Sequence, residues 1–246
     1  MKRCLHAFAM CQSMFCAIPC PWKIWDEEAR DRMLLFLPLV GLELGAIWAA
    51  LAWLVRWLGL PPLVRGLALC ACPWFLTGFL HLDGFMDVTD AVKSCRSLER
   101  RREILKDSHV GSFAVIGVCM LLLAQFVLFA AIPTDRSCRI LLFLPAVSRC
   151  CSALAVTCLP AMSTSQYARQ EKPVSHMIAP AGMLCLFTAL SFVLCRRQGF
   201  ASLGCLAGYG LALRRGYRSL EGMNGDIAGY ALTVGELCGA AVLALL

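Results

Sequence analysis

Long apolar stretches recur along the chain and are separated by shorter polar segments. A helix of about 20 apolar residues is enough to cross the hydrocarbon core of a bilayer. The stretches that approach this length are residues 34–55, 58–80, 111–132, 139–160, 178–195, 199–213 and 227–246. The pattern predicts an all-α, polytopic membrane helical bundle with about seven transmembrane helices. Since residues 199–213 are short for a span, we expect that segment to be broken or tilted.

No linker or internal repeat divides the chain, so we predict a single integral membrane domain over residues 1–246. Within it, residues 1–33 form a cytoplasmic or interfacial N-terminal segment, and residues 34–246 form the helical bundle. Residues 1–16 combine two basic residues with a weak apolar stretch, but no small-residue cleavage site follows them. This pattern favours an interfacial amphipathic segment over a signal peptide.

The composition narrows the function classes. Hydrophobic residues make up 59% of the 246 residues and charged residues only 16%, whereas soluble domains carry about 45–50% and 25%. An ordinary soluble globule, a disordered chain and a nucleic-acid-binding domain are therefore excluded. In a membrane protein, the net charge of +7 suits anionic lipid headgroups or an anionic phosphorylated substrate.

Lysine and arginine are unevenly distributed between the two sets of predicted loops. Sixteen of the 23 lie in the N-terminal segment and in the second, fourth and sixth loops, with Arg169 and Lys172 in the fourth, whereas six lie in the other loops. The positive-inside rule then places the N-terminus and the even-numbered loops in the cytoplasm.

Three aspartates follow the second apolar stretch in a regular pattern. Asp83, Asp87 and Asp90 are spaced i, i+4, i+7, which stacks their carboxylates on one face of a helix. Hard oxygen ligands of this kind suit Mg²⁺ or Ca²⁺, so the spacing favours a metal and diphosphate site. The alternative is a solvated helix end that pairs with the basic loop downstream. His81 is either a ligand or substrate contact, or a satisfied polar group.

A basic block follows over residues 99–112, on the predicted cytoplasmic side. Charge runs are usually solvated faces, but this one lies close in sequence to the aspartates. Its arginines, together with Lys106, are suited to holding phosphate oxygens. Asp107 either adds a metal ligand or caps the helix that starts near Gly111.

Two further acidic residues belong to the last apolar stretch. Asp226 lies at its predicted cytoplasmic end, and Glu236 is ten residues further along, or about 15 Å deeper in a helix. An ionisable group at that depth costs several kcal/mol unless it is paired or hydrated. Glu236 is therefore a functional candidate, or else it is paired with Arg149 or protonated.

These blocks, in this order, resemble the adenosylcobinamide-GDP ribazoletransferases, also called cobalamin synthases. HLDGFMDVTDAV resembles their HLDG-x-x-D-x-x-D-G block, and ERRREILKDSHVGSFAVIGV resembles their R-x-x-I-M-K-D-S-x-I-G-x-F-G block. Further similarity lies in IPCPWKIWDEEARDRMLLFLPLVGLELG, LPAVSRCCSALAVTCLP and GMNGDIAGYALTVGELCG. The chain departs from the pattern at Ala91, usually glycine, at Tyr230, usually alanine, and at Thr233, often acidic, which leaves Glu236 as the nearer match.

The resemblance implies a reaction and its residues. The family joins adenosylcobinamide-GDP to α-ribazole, or to its 5′-phosphate, and releases GMP with the help of Mg²⁺ at the cytoplasmic membrane. The implied catalytic residues are Asp83, Asp87, Asp90, Asp107 and Asp226, of which Asp83, Asp87, Asp90 and Asp226 hold the metal. The implied substrate contacts are Lys106, Arg102, Ser108, His81 and Glu236.

Other readings of the same residues stay open at this stage. Parts of the aspartate pattern also occur in CDP-alcohol phosphatidyltransferases and in intramembrane prenyltransferases. The prenyltransferases lack the block that contains Lys106, Asp107 and Ser108 (the KDS block). A transporter would explain the spans and the buried glutamate, but its ionisable residues would lie at the midplane. Whether the chain forms a homo-oligomer in the lipid bilayer is also open.

Overall fold

The computed structural model describes residues 2–134, 136–162 and 173–246, so Arg169 and Lys172 of the orientation argument lie outside the described residues. Within these ranges the chain is helical and contains no strand. The helices are α1 (Lys2–Phe15), α2 (Leu37–Trp57), α3 (Pro62–Leu76), α4 (Leu80–Lys93), α5 (Leu98–Ile104), α6 (Ser112–Ala131), α7 (Leu144–Cys158), α8 (Ser175–Cys195), α9 (Phe200–Leu220) and α10 (Gly225–Leu245). Short 3-10 segments cover Arg30–Phe36, Arg139–Leu142 and Arg196–Gly199.

The predicted all-α membrane bundle is confirmed. Five helical stretches of the described residues are long and apolar enough to cross a bilayer, or six if the bent pair α3–α4 counts as one span. They are Arg30–Trp57, Ser112–Ala131, Arg139–Cys158, His176–Leu220 and Gly225–Leu245. The number of about seven spans stays a prediction.

The longest of these stretches contains two helices, α8 and α9, with a reversal between them. Arg196 has a left-handed φ of 52°, the Phe192 and Phe200 rings pack edge to face at 5.2 Å, and the Ser202 hydroxyl donates to Ser191 Oγ at 3.0 Å. Helix α9 then continues to Leu220, well past the end of the predicted segment 199–213. The apolar pattern stops early because exposed arginines occupy the outer face of this last part.

The predicted span 58–80 is wrong as a single straight helix. Helix α3 has only 15 residues, and α4 leaves it at an angle of 91°. Gly78 and Phe79 lie between them with φ values of 57° and 63°, which a right-handed helix cannot accommodate. The aspartates of α4 therefore sit on a separate helix that runs across the direction of α3.

Helix α10 lies at the centre of the bundle, where it packs against α4, α6, α7 and α9. Small residues allow the closest of these approaches. A side chain at Gly208 of α9 would overlap Cys238, and one at Gly235 of α10 would press on the Cys205 carbonyl and Tyr209. Close contact between small residues is the usual basis of helix association in membranes, where apolar burial gives little driving force.

The N-terminal helix α1 is packed onto the bundle. Its buried residues Ala7, Met10 and Cys11 belong to one cluster with Met33 of the 3-10 segment and Leu37 at the start of α2. Two polar contacts secure it: His6 Nδ1 lies 2.6 Å from Asp26 Oδ2, and Gln12 donates to Glu43 at 3.0 Å. The helix is amphipathic, as the sequence predicts, but its apolar face is covered by protein.

A buried ion pair connects α7 to α10. Arg149 Nη1 lies 2.7 Å from Glu236 Oε1, and both side chains are 1% exposed. The Ser148 hydroxyl donates to the same oxygen at 2.7 Å, and Arg149 also donates to the Pro145 carbonyl at 3.2 Å. Of the alternatives that the sequence leaves for Glu236, pairing with Arg149 is the one observed.

Replacing one member of this pair is expected to destabilise the protein strongly. Glu236→Leu leaves the Arg149 guanidinium buried without its counter-charge, which costs about 3–5 kcal/mol. The midpoint of thermal unfolding in detergent should fall accordingly, and Arg149→Met in the same chain should restore much of the loss. Glu103→Leu, which breaks an exposed pair with Arg100, is the matched control and should change little. Equal midpoints for the two single variants would contradict a structural role for the buried pair.

Candidate active site

The candidate site forms where α4 crosses the first turn of α10. A Cβ at Gly84 would lie 3.0 Å from both the Cα and the carbonyl oxygen of Asp226, so the two backbones are almost in contact. One turn further, Gly229 faces the backbone of His81, whose carbonyl accepts a hydrogen bond from Thr233 Oγ1 at 3.3 Å. Residues more than 140 positions apart in the sequence are thereby brought side by side.

Four carboxylates converge at this crossing. Asp83, Asp226 and Asp90 all lie close enough to Asp87 to repel its charge, and Asp83 also acts on Asp226. Asp83 is exposed and the other three are partly buried. Among the described residues, none of the four forms an ion pair with a basic side chain. The structure thus places unneutralised negative charge at one end of the bundle.

The four carboxylates suit a magnesium ion that is shared with a substrate. In the described part of the chain, no three acidic, histidine or cysteine side chains are close enough together to enclose a metal by themselves. Mg²⁺ does not require such a cage, because it usually keeps several waters and is held by one or two carboxylates plus substrate phosphates. Such an ion would bind these unpaired carboxylate oxygens and would offset their mutual repulsion.

Asp90 occupies a special position at the edge of this group. Its carboxylate packs directly on Gly111, the residue that precedes α6, and any side chain at Gly111 would overlap it. A negative charge is favourable at the start of a helix, where backbone N–H groups point outwards. The glycine of the KDS block therefore makes room for an aspartate of the preceding block.

Asp226 is held in place by its own helix cap. The Asn224 side chain accepts a hydrogen bond from the Ile227 backbone N–H at 2.9 Å, which starts α10, and its amide donates to Asp226 Oδ2 at 2.6 Å. Sequence reasoning missed Asn224 as a functional residue. The signal was present, since an asparagine just before an apolar periodic segment is a typical N-cap.

Asp107 lies in the loop between α5 and α6, where it is exposed. Its Oδ1 accepts the His109 backbone N–H at 3.0 Å and lies 2.7 Å from His109 Nδ1. The hydrogen bond from the His109 backbone lowers the pKa of Asp107 below its ordinary value. Asp107 is not among the charges that act on Asp87, so its role as a metal ligand stays a prediction.

The basic block divides into residues that stabilise the fold and residues that are free to bind. Arg102 donates to the carbonyls of Leu220 and Glu221 at the end of α9, at 3.0 and 2.8 Å, and Arg101 donates to the Ser219 carbonyl at 3.2 Å. These contacts neutralise carbonyls at a helix C-terminus. Arg102 is therefore engaged with the backbone, and its predicted contact with substrate is untested.

The remaining predicted contacts differ in accessibility. Lys106 and Ser108 are exposed in the α5–α6 loop, which leads to Gly111 and its contact with the Asp90 carboxylate. His81 is 7% exposed, and its ring is parallel to that of Phe15 with the centroids 6.4 Å apart. Glu236 is fully enclosed with Arg149. A direct substrate contact by Glu236 would require that pair to open.

Tyr230 is a further residue that the sequence did not single out beyond its departure from the family pattern. Its ring stacks on Phe85 of α4, with centroids 5.6 Å apart, and the charge of Arg215 on α9 lies nearby. It lies one turn after Asp226, so it supports the crossing of α4 and α10 next to the carboxylates.

Comparison with known proteins gives consistent matches over the whole chain. The profile of one family, described as cobalamin-5-phosphate synthase, matches residues 7–244. An adenosylcobinamide-GDP ribazoletransferase of Clostridium perfringens is 34% identical over 100% of both chains. Proteins with the same name are 32% identical in Clostridium botulinum, over 97% of both chains, and 33% identical in Geotalea daltonii, over 95% of this chain and 94% of the relative. No solved structure matches the chain.

We expect Arg102 to contribute mainly to the stability of the fold rather than to substrate binding. Arg102→Gln removes charge-assisted hydrogen bonds from the end of α9, which should cost about 1–3 kcal/mol and lower the thermal midpoint in detergent. Arg100→Gln is the matched control, because the Arg100 side chain is exposed and pairs with Glu103 of its own helix. An unchanged midpoint together with a raised KM for a phosphorylated substrate would instead assign Arg102 to binding.

Proposed function

Because the chain belongs to the cobalamin-5-phosphate synthase family, we propose that it is an adenosylcobinamide-GDP ribazoletransferase, the name that its relatives carry. It transfers adenosylcobinamide phosphate from the GDP ester to α-ribazole, or to α-ribazole 5′-phosphate. The products are adenosylcobalamin, or its 5′-phosphate, and GMP. The reaction completes the nucleotide loop of the cobalamin.

The observation that carries this proposal is the convergence of Asp83, Asp87, Asp90 and Asp226 at the crossing of α4 and α10. Phosphoryl transfer relies on positioning and on neutralising phosphate charge. Mg²⁺ held by these carboxylates would supply that charge to the diphosphate when it is bound. Without a cation, a cluster of four acidic groups would repel a phosphorylated substrate.

The chemical step requires a hydroxyl of the acceptor ribose to attack the phosphorus attached to cobinamide. A new P–O bond forms, the bond to GMP breaks, and the hydroxyl proton passes to a carboxylate. Asp226 and Asp107 are the two candidates for this base. Asp226 lies within the cluster and is oriented by Asn224, which favours it over Asp107. Lys106 is suited to contacting the phosphates of GDP from the exposed loop.

The family match and the KDS block favour this activity over the rival readings. The aspartate spacings alone also fit CDP-alcohol phosphatidyltransferases and prenyltransferases, but the profile that matches residues 7–244 is that of the cobalamin-5-phosphate synthases. A transporter is disfavoured because the acidic cluster lies at an end of the bundle.

We further propose that the site faces the cytoplasm from a cell membrane that the chain crosses several times. The end of the bundle that bears the carboxylates also bears the basic residues of α5 and of the loop after it. The exposed Arg214, Arg215 and Arg218 of α9 lie at the same end. The positive-inside rule assigns such an end to the cytoplasm.

Asp87→Asn is expected to abolish Mg²⁺-dependent release of GMP. Asp87 has three carboxylates around it, so it lies at the centre of the group that would hold the ion. GMP is measured by chromatography with purified protein in detergent, over a Mg²⁺ titration and with a chelator. The activity of the variant should fall at least 100-fold.

The control is Asp31→Asn, because Asp31 is exposed on the segment before α2 and is not among the charges that act on Asp87. Its activity should match that of the unmodified protein. Near-normal turnover by Asp87→Asn would remove Asp87 from the metal site. Unchanged turnover of the unmodified protein in chelator would remove the metal itself.

Lys106→Gln is expected to raise the KM for adenosylcobinamide-GDP about tenfold or more, without changing the thermal midpoint. The side chain is exposed and so contributes little to folding, whereas a phosphate contact is charge-assisted. Lys23→Gln, in the exposed segment after α1, is the matched control. An unchanged KM would leave the basic loop without a part in substrate binding.

A further inference from the structure

We propose that a small cavity beside Asp226 receives the aromatic base of the acceptor nucleoside. This inference rests on the proposed function and assigns one substrate to one part of the site. The cavity has a volume of about 150 Å³ and lies between α1, α2, α4, α7 and α10. Its lining includes Phe15, Leu37, His81, Val156, Asp226 and Leu232. It therefore opens next to a carboxylate of the candidate metal site.

The lining is apolar apart from a few groups, and two of their polar atoms have no partner among the described residues. His81 Nε2 and Ser152 Oγ are buried and form no hydrogen bond within the described part of the chain. A buried polar atom left unsatisfied costs about 1–3 kcal/mol, so such an atom in a native protein calls for an explanation. The Tyr209 hydroxyl, a neighbour of Ser152, is likewise buried without a hydrogen bond among the described residues.

The size and polarity of the cavity distinguish between the parts of the two substrates. The corrin ring system is far too large for about 150 Å³. Guanine carries several donors and acceptors, most of which an apolar lining would leave unpaired. A fused, largely apolar aromatic ring with one free ring nitrogen, such as benzimidazole, suits a mainly apolar lining in which His81 Nε2 and Ser152 Oγ are the unpartnered polar atoms among the described residues. Its ribose would then project towards Asp226, where the attacking hydroxyl is needed.

The surroundings of His81 are suited to selecting such a ring. The Phe15 ring is nearly parallel to the imidazole, with an interplanar angle of 16°, and the backbone of His81 is fixed by Thr233. A preorganised site loses less entropy on binding than a mobile one. His81 would thus determine which base is accepted, while the aspartates perform the transfer.

Two variants test the cavity separately from the chemistry. His81→Phe keeps an aromatic ring beside Phe15 but removes the ring nitrogens, and Leu232→Trp fills the space. The readouts are calorimetric titration of α-ribazole into the full chain in detergent, without the second substrate, and the KM for each substrate. Both variants should bind α-ribazole at least tenfold more weakly, with the KM for adenosylcobinamide-GDP changed less than twofold. Leu123→Trp, on the exposed face of α6, is the matched control.

The outcomes separate this proposal from the proposed function. If His81→Phe and Leu232→Trp, shown to be folded by their thermal midpoints, bind α-ribazole as tightly as the unmodified protein, the cavity does not hold the base. Equal weakening for both substrates would also overturn the assignment, because it indicates general damage. If the unmodified protein releases no GMP from the complete substrate pair, the proposed function fails. Should Leu232→Trp not fold, Val156→Phe fills the same cavity from α7.

Discussion

The close approach of α4 and α10 at Gly84 is the constraint on which the site depends. Only a residue without a side chain lets the α4 backbone come this near to Asp226. The contact brings together aspartates whose mutual repulsion would otherwise drive them apart. Apolar packing of Leu82 and Phe85 of α4, with Tyr230 of α10 against them, supplies part of the opposing stabilisation. The fold thus holds a charge arrangement that the carboxylates themselves disfavour.

The bend before α4 is the second requirement. If residues 58–80 continued as one straight helix, the aspartates would follow α3 out of the bundle. The left-handed residues Gly78 and Phe79 instead turn α4 by 91°, so that the aspartate face crosses the start of α10. A left-handed conformation is unfavourable for phenylalanine, and such strain is typically maintained by surrounding structure at functional sites.

Most of the helices could be predicted because a bilayer imposes a simple rule of length and hydropathy. The bend between α3 and α4 could not be predicted, because the left-handed conformation of Phe79 does not alter the apolar pattern of the sequence. The periodicity of Asp83, Asp87 and Asp90 indicated one face, but the nearness of Asp226 came only through the family resemblance, because local sequence carries no information on long-range packing. Arg102 illustrates a second limit. Its charge suggested a contact with phosphate, but the sequence could not show that the end of α9 lies beside it and accepts its hydrogen bonds.

The acidic residues lie in two different electrostatic environments, one with a counter-charge and one without, and the contrast supports a ligand at the site. Deep in the bundle, Glu236 is neutralised by Arg149 and accepts a hydrogen bond from Ser148, because an unpaired charge there would cost several kcal/mol. At the crossing of α4 and α10, in contrast, no lysine or arginine among the described residues forms an ion pair with any of the four aspartates. Asn224 even orients Asp226 without neutralising it. Acidic groups left without a counter-charge from the protein are expected where an exchangeable cation and a phosphorylated substrate complete the balance.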